Sequence, residues 1–225
     1  MTRRLFVISY RWILTALVVA AIIVQLVHTL REDPPGSIVN FFSFFTIGAN
    51  IIAVVVFAFG AVPGREPDTR GYDLARGAAT TYMSITGVVY ATLLSDIPAA
   101  ADSTIPWVNE VLHYLMPLVV FLDWLFVPPK HAIKLRESLT WAAFPIAYVG
   151  YTLIRGAAVH WYPYPFLNAD MHGYGRVIIN CIGIGIGALV FVAAVAWLGN
   201  ALRNGRLPQP GTSVGQPSAD KPADA

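Results

Sequence analysis

The stretch that decides the fold lies near the N-terminus and reads WILTALVVAAIIVQLVHTL at residues 12–30. It contains no Asp, Glu, Lys or Arg, and its length is close to the ~20 apolar residues that a helix needs to cross a bilayer. Five further apolar runs follow, near residues 39–61, 75–95, 106–127, 139–158 and 176–198. Short segments such as REDPPG (31–36) and VPGREP (62–67) separate the runs and favour exposed turns. We therefore predict an all-α polytopic membrane protein, a six-transmembrane-helix bundle within residues 1–202.

The composition supports a membrane protein and excludes several other classes. Of the 225 residues, 56% are hydrophobic and only 12% are charged, and the mean hydropathy is +0.59. A soluble domain carries roughly 25% charged residues, so an ordinary soluble enzyme, a coiled coil and a disordered protein are excluded. The net charge of +2 indicates no nucleic-acid partner. The single cysteine, Cys181, allows no intramolecular disulfide and no cysteine metal cluster, and we expect neither a metal nor a cofactor.

The basic residues predict the orientation, because cytoplasmic loops collect Lys and Arg. Of the 15 Lys and Arg, three lie on one side of the predicted bundle, at Arg31, Arg155 and Arg176. The other twelve lie on the opposite side: Arg3, Arg4, Arg11, Arg65, Arg70, Arg76, Lys130, Lys134, Arg136, Arg203, Arg206 and Lys221. We therefore expect a multi-pass protein of the plasma (inner) membrane with both termini cytoplasmic. Residues 203–225 are rich in Pro, Gly, Ser, Ala and Asp, which predicts a disordered cytoplasmic tail.

Two polar residues on different runs are predicted to share one layer of the membrane. Thr46 lies nine residues after Ser37 and His113 lies seven after Pro106, where the second and fourth runs begin on the outer side. At a helical rise of 1.5 Å per residue, both lie roughly 10 to 14 Å below the outer boundary. Asn50 is one turn below Thr46.

These two residues predict a catalytic pair. A histidine near neutral pKa can take the proton of a threonine hydroxyl and make it a nucleophile. A centre at this depth meets an ester partway along an aliphatic chain, which favours an acyl lipid substrate taken from the bilayer. Arg155 is a candidate to hold a lipid carboxylate at the surface, with simple snorkelling as the alternative. The hypothesis requires the Thr46 hydroxyl and the His113 imidazole to face each other.

Other polar and aromatic residues are weaker candidates for a supporting or substrate-binding role. Asn109 and Glu110 are one turn above His113, and Glu110 and Asp123 are candidates to orient its ring, although neither has the ideal helical spacing. Asn50, Thr46 and Asn180, taken singly, could instead be hydrogen-bonded packing residues. The loop WYPYPF (161–166), which begins with Trp161 and Tyr162, predicts either an interfacial aromatic belt or a rigid cover over an outward-facing cavity.

A pair of small residues on the sixth run raises the question of an oligomer. Gly183 and Gly187 have the spacing of a small-residue packing motif. This spacing predicts a helix contact, either within one bundle or across a homodimer.

The order and spacing of several short motifs resemble the androgen-induced protein family. The motifs are Phe44-Phe45-Thr46 with Asn50, Asn109 and His113 followed by Pro117 and Asp123-Trp124, and the 161–166 loop. The resemblance covers all six runs and implies a six-span threonine hydrolase that cleaves fatty acid esters of hydroxy fatty acids. Carried over residue by residue, it implies that Thr46 is catalytic and that His113 is catalytic. The loop and Asp123-Trp124 with Pro128-Pro129 look typical of its bacterial branch, whose activities are mostly unassigned.

Two other functions remain open from the residues alone. The first alternative is a small-molecule or lipid transporter or binding protein without catalysis, although no internal repeat supports a transporter. The second is a haem-binding electron carrier, which the positions of the histidines fit poorly.

Overall fold

The computed structural model describes residues 2–32, 34–64, 67–96 and 104–205. Across these residues the chain is helical and forms no β-strand, which confirms the all-α class. Four helices are long and apolar enough to cross a membrane: Arg3–Arg31, Pro106–Phe126, Leu135–Val159 and Ala169–Arg203. The predicted tail at 203–225 lies outside the described residues, except for 203–205, and Arg203 there still belongs to a helix.

The helices follow the predicted apolar runs in order. They are α1 (Thr2–Arg31), α2 (Ile38–Phe42), α3 (Phe45–Gly60), α4 (Arg70–Val89), α5 (Pro106–Glu110), α6 (Met116–Phe126), α7 (Leu135–Ser138), α8 (Ala143–Val159) and α9 (Ala169–Arg203). A first π turn (Tyr90–Leu94) extends α4, and a second π turn (Val111–Leu115) joins α5 to α6. Short 3-10 turns occupy Leu139–Ala142 and Pro165–Leu167. The described chain therefore forms six helical segments separated by turns.

The helix boundaries follow local capping chemistry. The Ser37 hydroxyl accepts a hydrogen bond from the Asn40 N–H at the start of α2, and Thr69 and Asn168 cap α4 and α9 in the same way. The second run, predicted as continuous, is broken into α2 and α3, because Phe44 has an extended backbone. The first run extends further than expected, since α1 begins at Thr2 and includes the arginines that were placed before the span.

Successive helical segments run in opposite directions, which brings the start of α1 beside the end of α6. At this end Arg11 forms an ion pair with Asp123 and donates a 3.3 Å hydrogen bond to the Gly60 carbonyl at the end of α3. We call it the arginine-rich end, since Arg3, Arg11 and Arg76 all lie there. At the opposite end, the Ile105 N–H donates to Gln25 at 3.0 Å.

Helix α4 lies at the centre of the bundle although it is the least apolar of the long helices. Its buried Thr80, Thr81 and Thr86 hydroxyls donate to the carbonyls four residues earlier, at 2.9, 2.9 and 3.0 Å. These bonds satisfy the hydroxyls inside the helix, so the threonines can be buried without outside partners. Helix α4 is therefore well buried although it is not among the four helices that are long and apolar enough to cross a membrane.

Large apolar side chains cover the outside of the bundle. The exposed ones include Ile13, Ile23, Ile146, Ile154, Ile178, Ile182, Ile186 and Val190. A belt of this size is typical of a surface that contacts a membrane. A Cβ added at Gly183 or Gly187 would meet no atom within 4 Å. The alternative in which these glycines make a helix contact within the bundle is therefore wrong for the described residues.

Candidate functional site

An apolar cavity of about 320 Å³ lies between α3, α4, α8 and α9. The 161–166 loop folds over it, and Tyr164 and Phe166 from that loop are among the lining residues. Thr46, Thr86, Tyr90 and Tyr148 also line the cavity. The cavity has the size and the mostly hydrophobic lining of a small-molecule site. Two alternatives were predicted for this loop, a cover over a cavity and an interfacial aromatic belt. The cover matches the structure better than an aromatic belt alone.

Thr46 is the second residue of α3 and lies at the break between α2 and α3. Its Oγ1 is 3.5 Å from the hydroxyl oxygen of Tyr164, and its backbone N–H donates to the same oxygen at 3.4 Å. The first turn of a helix leaves N–H groups without partners inside the helix, and its dipole favours negative charge there. The Thr46 hydroxyl therefore lies beside two kinds of donor, a phenol and helix N-terminal amides.

Asn50 connects the turn that carries Thr46 to the segment that carries His113. It is fully buried, and its side-chain amide donates to the Thr46 carbonyl at 2.9 Å and to the Leu112 carbonyl at 3.2 Å. Its Oδ1 has no hydrogen-bond partner among the described residues. Leu112 directly precedes His113, so this one amide ties α3 to the second π turn.

His113 packs face to face against Tyr90. The two ring centroids are 4.0 Å apart with an interplanar angle of 20°. Asn109, one turn before His113, donates from its side-chain amide to the Tyr90 hydroxyl at 2.7 Å and so fixes that ring. The Nδ1 of His113 is buried and has no hydrogen-bond partner within the described part of the chain. The imidazole is therefore held by stacking, while one ring nitrogen remains without a partner.

Thr46 and His113 belong to the same region but do not contact each other through a hydrogen bond. Among the described residues, the side-chain partner of the Thr46 hydroxyl is Tyr164. His113 is not among the cavity-lining residues, whereas Tyr90, on which it stacks, is one of them. Asn50 connects the segments that carry Thr46 and His113, and Tyr90 connects the imidazole to the cavity.

Neither acidic residue proposed to orient His113 does so. Asp123 accepts hydrogen bonds from Tyr10, Arg11 and Arg76 at the arginine-rich end. Glu110 is exposed and forms no hydrogen bond or ion pair with the described residues. The prediction for Asp123 is wrong because a carboxylate buried among arginines is held by them, nearly three turns from His113.

Arg155 lies near the C-terminal end of α8, beside the loop. Its Nη2 donates to Asn40 Oδ1 at 2.5 Å, and its guanidinium lies 5.0 Å from the Trp161 ring centroid. Trp161 in turn packs edge-on against Phe44, with centroids 5.8 Å apart. Through Trp161, the Arg155 guanidinium is therefore linked to Phe44, which lies two residues before Thr46.

Tyr162 and Asn180 hold the loop in place. The Tyr162 ring lies over Gly156 of α8, where a Cβ would overlap it, and Asn180 donates to the Phe166 carbonyl at 2.9 Å. The Tyr162 hydroxyl is buried without a hydrogen-bond partner among the described residues. Both residues therefore position the loop, and neither lines the cavity.

Sequence reasoning missed the tyrosines that surround Thr46. Tyr164 reaches its hydroxyl, Tyr90 stacks on His113, and the hydroxyl of Tyr148 donates to the Ser43 carbonyl at 3.0 Å. A signal existed for Tyr164 alone, since prolines on both sides, Pro163 and Pro165, restrict its backbone.

In the described ranges, no three His, Cys, Asp or Glu side chains come together in a way that could hold a metal ion. None of the known protein-family models matches the chain, and neither a curated protein nor a solved structure matches it.

Proposed function

We propose that all six helical segments cross the plasma (inner) membrane and that both termini are cytoplasmic. The four longest apolar helices and the alternating direction of the segments support this arrangement. The uneven distribution of Lys and Arg supports placing the arginine-rich end in the cytoplasm. The cavity lined by Thr46 then lies toward the outer leaflet.

We propose further that the protein is an intramembrane lipid ester hydrolase with Thr46 as nucleophile and His113 as base. The observation that carries this proposal is the Thr46 hydroxyl lining an apolar cavity, beside the Tyr164 hydroxyl and near the Tyr90–His113 stack. The substrate class is a fatty acid ester of a hydroxy fatty acid or a similar acyl lipid, as the motif resemblance to the androgen-induced protein family implies. An apolar cavity suits the acyl chain, and Arg155 suits a free carboxylate near the surface.

The reaction would proceed through an acyl-threonine. His113 takes the proton from Thr46 Oγ1, which attacks the ester carbonyl carbon and forms a tetrahedral oxyanion. The Tyr164 hydroxyl and the N–H groups of the first turn of α3, including that of Thr46, would stabilise that oxyanion. The C–O bond to the alcohol then breaks, and the leaving alkoxide takes the proton from His113. In the second half, His113 takes a proton from a water molecule, whose oxygen attacks the acyl carbonyl carbon. The C–O bond to Thr46 then breaks, the carboxylic acid leaves, and His113 returns the proton to Thr46 Oγ1.

The first proton transfer requires the His113 imidazole to reach the Thr46 hydroxyl, and the structure shows no hydrogen bond between these two groups. Bound substrate would have to turn the Tyr90 ring aside, or a water molecule would have to bridge the His113 imidazole and the Thr46 hydroxyl. Hydrogen bonds between catalytic groups are often long or broken without substrate and form in the substrate complex. Asn109 controls this step in the proposal, since it holds Tyr90 against the imidazole.

The experiment is hydrolysis of a long-chain ester of a hydroxy fatty acid by the purified full-length protein. We expect Thr46→Ala to abolish turnover and His113→Phe, which keeps a ring against Tyr90, to lower kcat by about 10²–10⁴-fold. We expect Tyr164→Phe to lower kcat by about 10²–10³-fold through loss of an oxyanion donor. The matched control is Thr86→Ala, because Thr86 lines the same cavity but its hydroxyl donates to the Tyr82 carbonyl. Full turnover by Thr46→Ala, or equal losses in Thr46→Ala and Thr86→Ala, would refute the assignment.

A second candidate function is binding or transport of an acyl lipid without catalysis. The observation in its favour is the missing hydrogen bond between Thr46 and His113 next to a cavity with mostly apolar lining. A fluorophosphonate probe distinguishes the two candidates, because such probes label activated hydroxyl nucleophiles. Labelling at Thr46 that requires His113 supports the hydrolase. Lipid binding with no labelling and no turnover supports the binding protein.

A further inference from the structure

The arginine-rich end contains a second cavity, which is separate from the one lined by Thr46. It is partly open and has a volume of about 410 Å³. Its charged lining residues are five cationic side chains and one acidic one: Arg3, Arg4, Arg11, Arg76, Lys130 and Asp73. The lining comes from the start of α1, the start of α4 and the segment after α6, which meet at this end. None of the ester chemistry proposed above uses this cavity.

The buried charged side chains beside this cavity are two arginines and two aspartates. Arg11 and Arg76 each form a 2.7 Å ion pair with the single carboxylate of Asp123. All three side chains are at most 5% exposed, and the Tyr10 hydroxyl also donates to the same carboxylate. The second aspartate, Asp73, is also buried and matches the second guanidinium in number. The excess positive charge therefore comes from the three other cationic lining residues of the cavity, and an anion that enters it would compensate that charge.

Some hydrogen-bond donors at this cavity have no partner among the described residues. The Nε of Arg76 is buried and has no partner among the described residues. Arg4 forms no hydrogen bond or ion pair with them either. The one acidic lining residue that the structure describes, Asp73, already accepts from the backbone N–H and the ring Nδ1 of His131 at 2.8 and 2.9 Å. The cavity therefore offers positive charge and free donors, with little acceptor capacity of its own.

We propose that this cavity binds a phosphate group, either the phosphodiester of an anionic phospholipid or inorganic phosphate. Phosphate carries acceptor oxygens and negative charge, which match guanidinium groups in geometry and in sign. The volume falls within the ~300–1,000 Å³ range of small-molecule sites. If this end faces the cytoplasm, it also faces the leaflet whose anionic lipids attract basic residues near the membrane. The bound phosphate compensates the excess positive charge of the cavity lining.

The test measures the melting temperature of the full-length protein in a neutral detergent against added ligand. The probes are phosphatidylglycerol, phosphatidylcholine and sodium phosphate, with sodium chloride used to match the ionic strength. We expect phosphatidylglycerol to raise the melting temperature and phosphatidylcholine to leave it unchanged. The Arg3→Gln/Arg4→Gln double variant should bind phosphatidylglycerol about 25-fold more weakly, at about fivefold for each arginine.

The matched control is the double variant Arg136→Gln/Arg203→Gln. It removes the same charge from exposed positions at the same end that do not line the cavity. Stabilisation by phosphatidylglycerol but not by sodium phosphate, lost in the Arg3/Arg4 variant alone, assigns the site to a lipid headgroup. Stabilisation by both probes, lost in that variant, assigns it to free phosphate. The proposal is overturned if neither probe raises the melting temperature, or if both double variants lose affinity equally.

Discussion

Replacing Asp123 by asparagine measures how much the buried ion cluster contributes to stability. The carboxylate accepts hydrogen bonds from Arg11 Nε and Nη2 at 2.8 and 3.0 Å, from Arg76 Nη2 at 2.7 Å, and from Tyr10. It joins α1, α4 and α6, and it is almost completely buried. Asparagine has nearly the same shape but no charge, so both guanidiniums would stay buried without the carboxylate that pairs with them. Removing one partner of a buried ion pair costs about 3–5 kcal/mol, and we expect Asp123→Asn to lower the free energy of unfolding by that amount.

The assay is unfolding of the full-length protein in mixed micelles with increasing denaturing detergent, followed by tryptophan fluorescence. The matched control is Glu137→Gln, which removes a carboxylate paired with Arg70 at 2.5 Å in a more exposed place. Surface ion pairs contribute little, so this control should unfold almost like the unchanged protein. If Asp123→Asn unfolds at the same detergent fraction as the control, the cluster does not hold the three helices together and our reasoning is wrong.

Three further substitutions test the candidate site. Gly156→Ala forces a methyl group into the tyrosine ring that packs on it, so it should cost about 1–3 kcal/mol of stability and reduce ester turnover; Gly150→Ala on the same helix has open space and should do neither. Arg155→Gln should raise KM about tenfold for an ester with a free carboxylate and leave KM unchanged for its methyl ester, since a charged hydrogen bond contributes about 1.5–3 kcal/mol; equal effects on both substrates would contradict carboxylate binding. Asn109→Ala removes the hydrogen bond that fixes Tyr90 and should change kcat about fivefold in steady-state assays, in line with about 1 kcal/mol for one hydrogen bond; an unchanged kcat would show that the tyrosine does not control access to the imidazole.

The number and order of the helical segments could be predicted from the apolar runs, because run length and turn composition are local properties. The residues at which these segments begin and end could not be predicted in the same way. Arg3 and Arg4 were expected to precede the first helix, but charged residues do not interrupt a helix when they lie at its solvent-facing end. No proline or glycine lies at the break before Phe45, so the sequence does not predict the break. It follows from packing, which sequence periodicity does not report.

The candidate site was predictable only in part, for a related reason. The layer shared by Thr46 and His113 follows from counting along two helices, and the structure places both residues near one cavity. The side-chain contacts of Asp123 depend on Arg11 and Arg76, which are 112 and 47 residues away along the chain. Pairings over such separations leave no periodic pattern in the sequence. In addition, the positions of Arg11 and Arg76 were already explained by the tendency of cytoplasmic loops to collect Lys and Arg.

The two π turns have a consequence for how this protein tolerates change. Tyr90 and His113 each lie in such a turn, and each turn contains one residue more than a regular helix would need. Deleting one residue there would restore a regular helix and leave the flanking segments nearly in register, but it would shift side chains inside the turn by one position, which is about 100° around the helix. The imidazole would then swing away from its tyrosine, although the apolar content of both helices would hardly change. Wide turns of this kind weaken the helix and occur often at functional sites. In this part of the bundle, chain length is therefore a requirement in addition to side-chain identity.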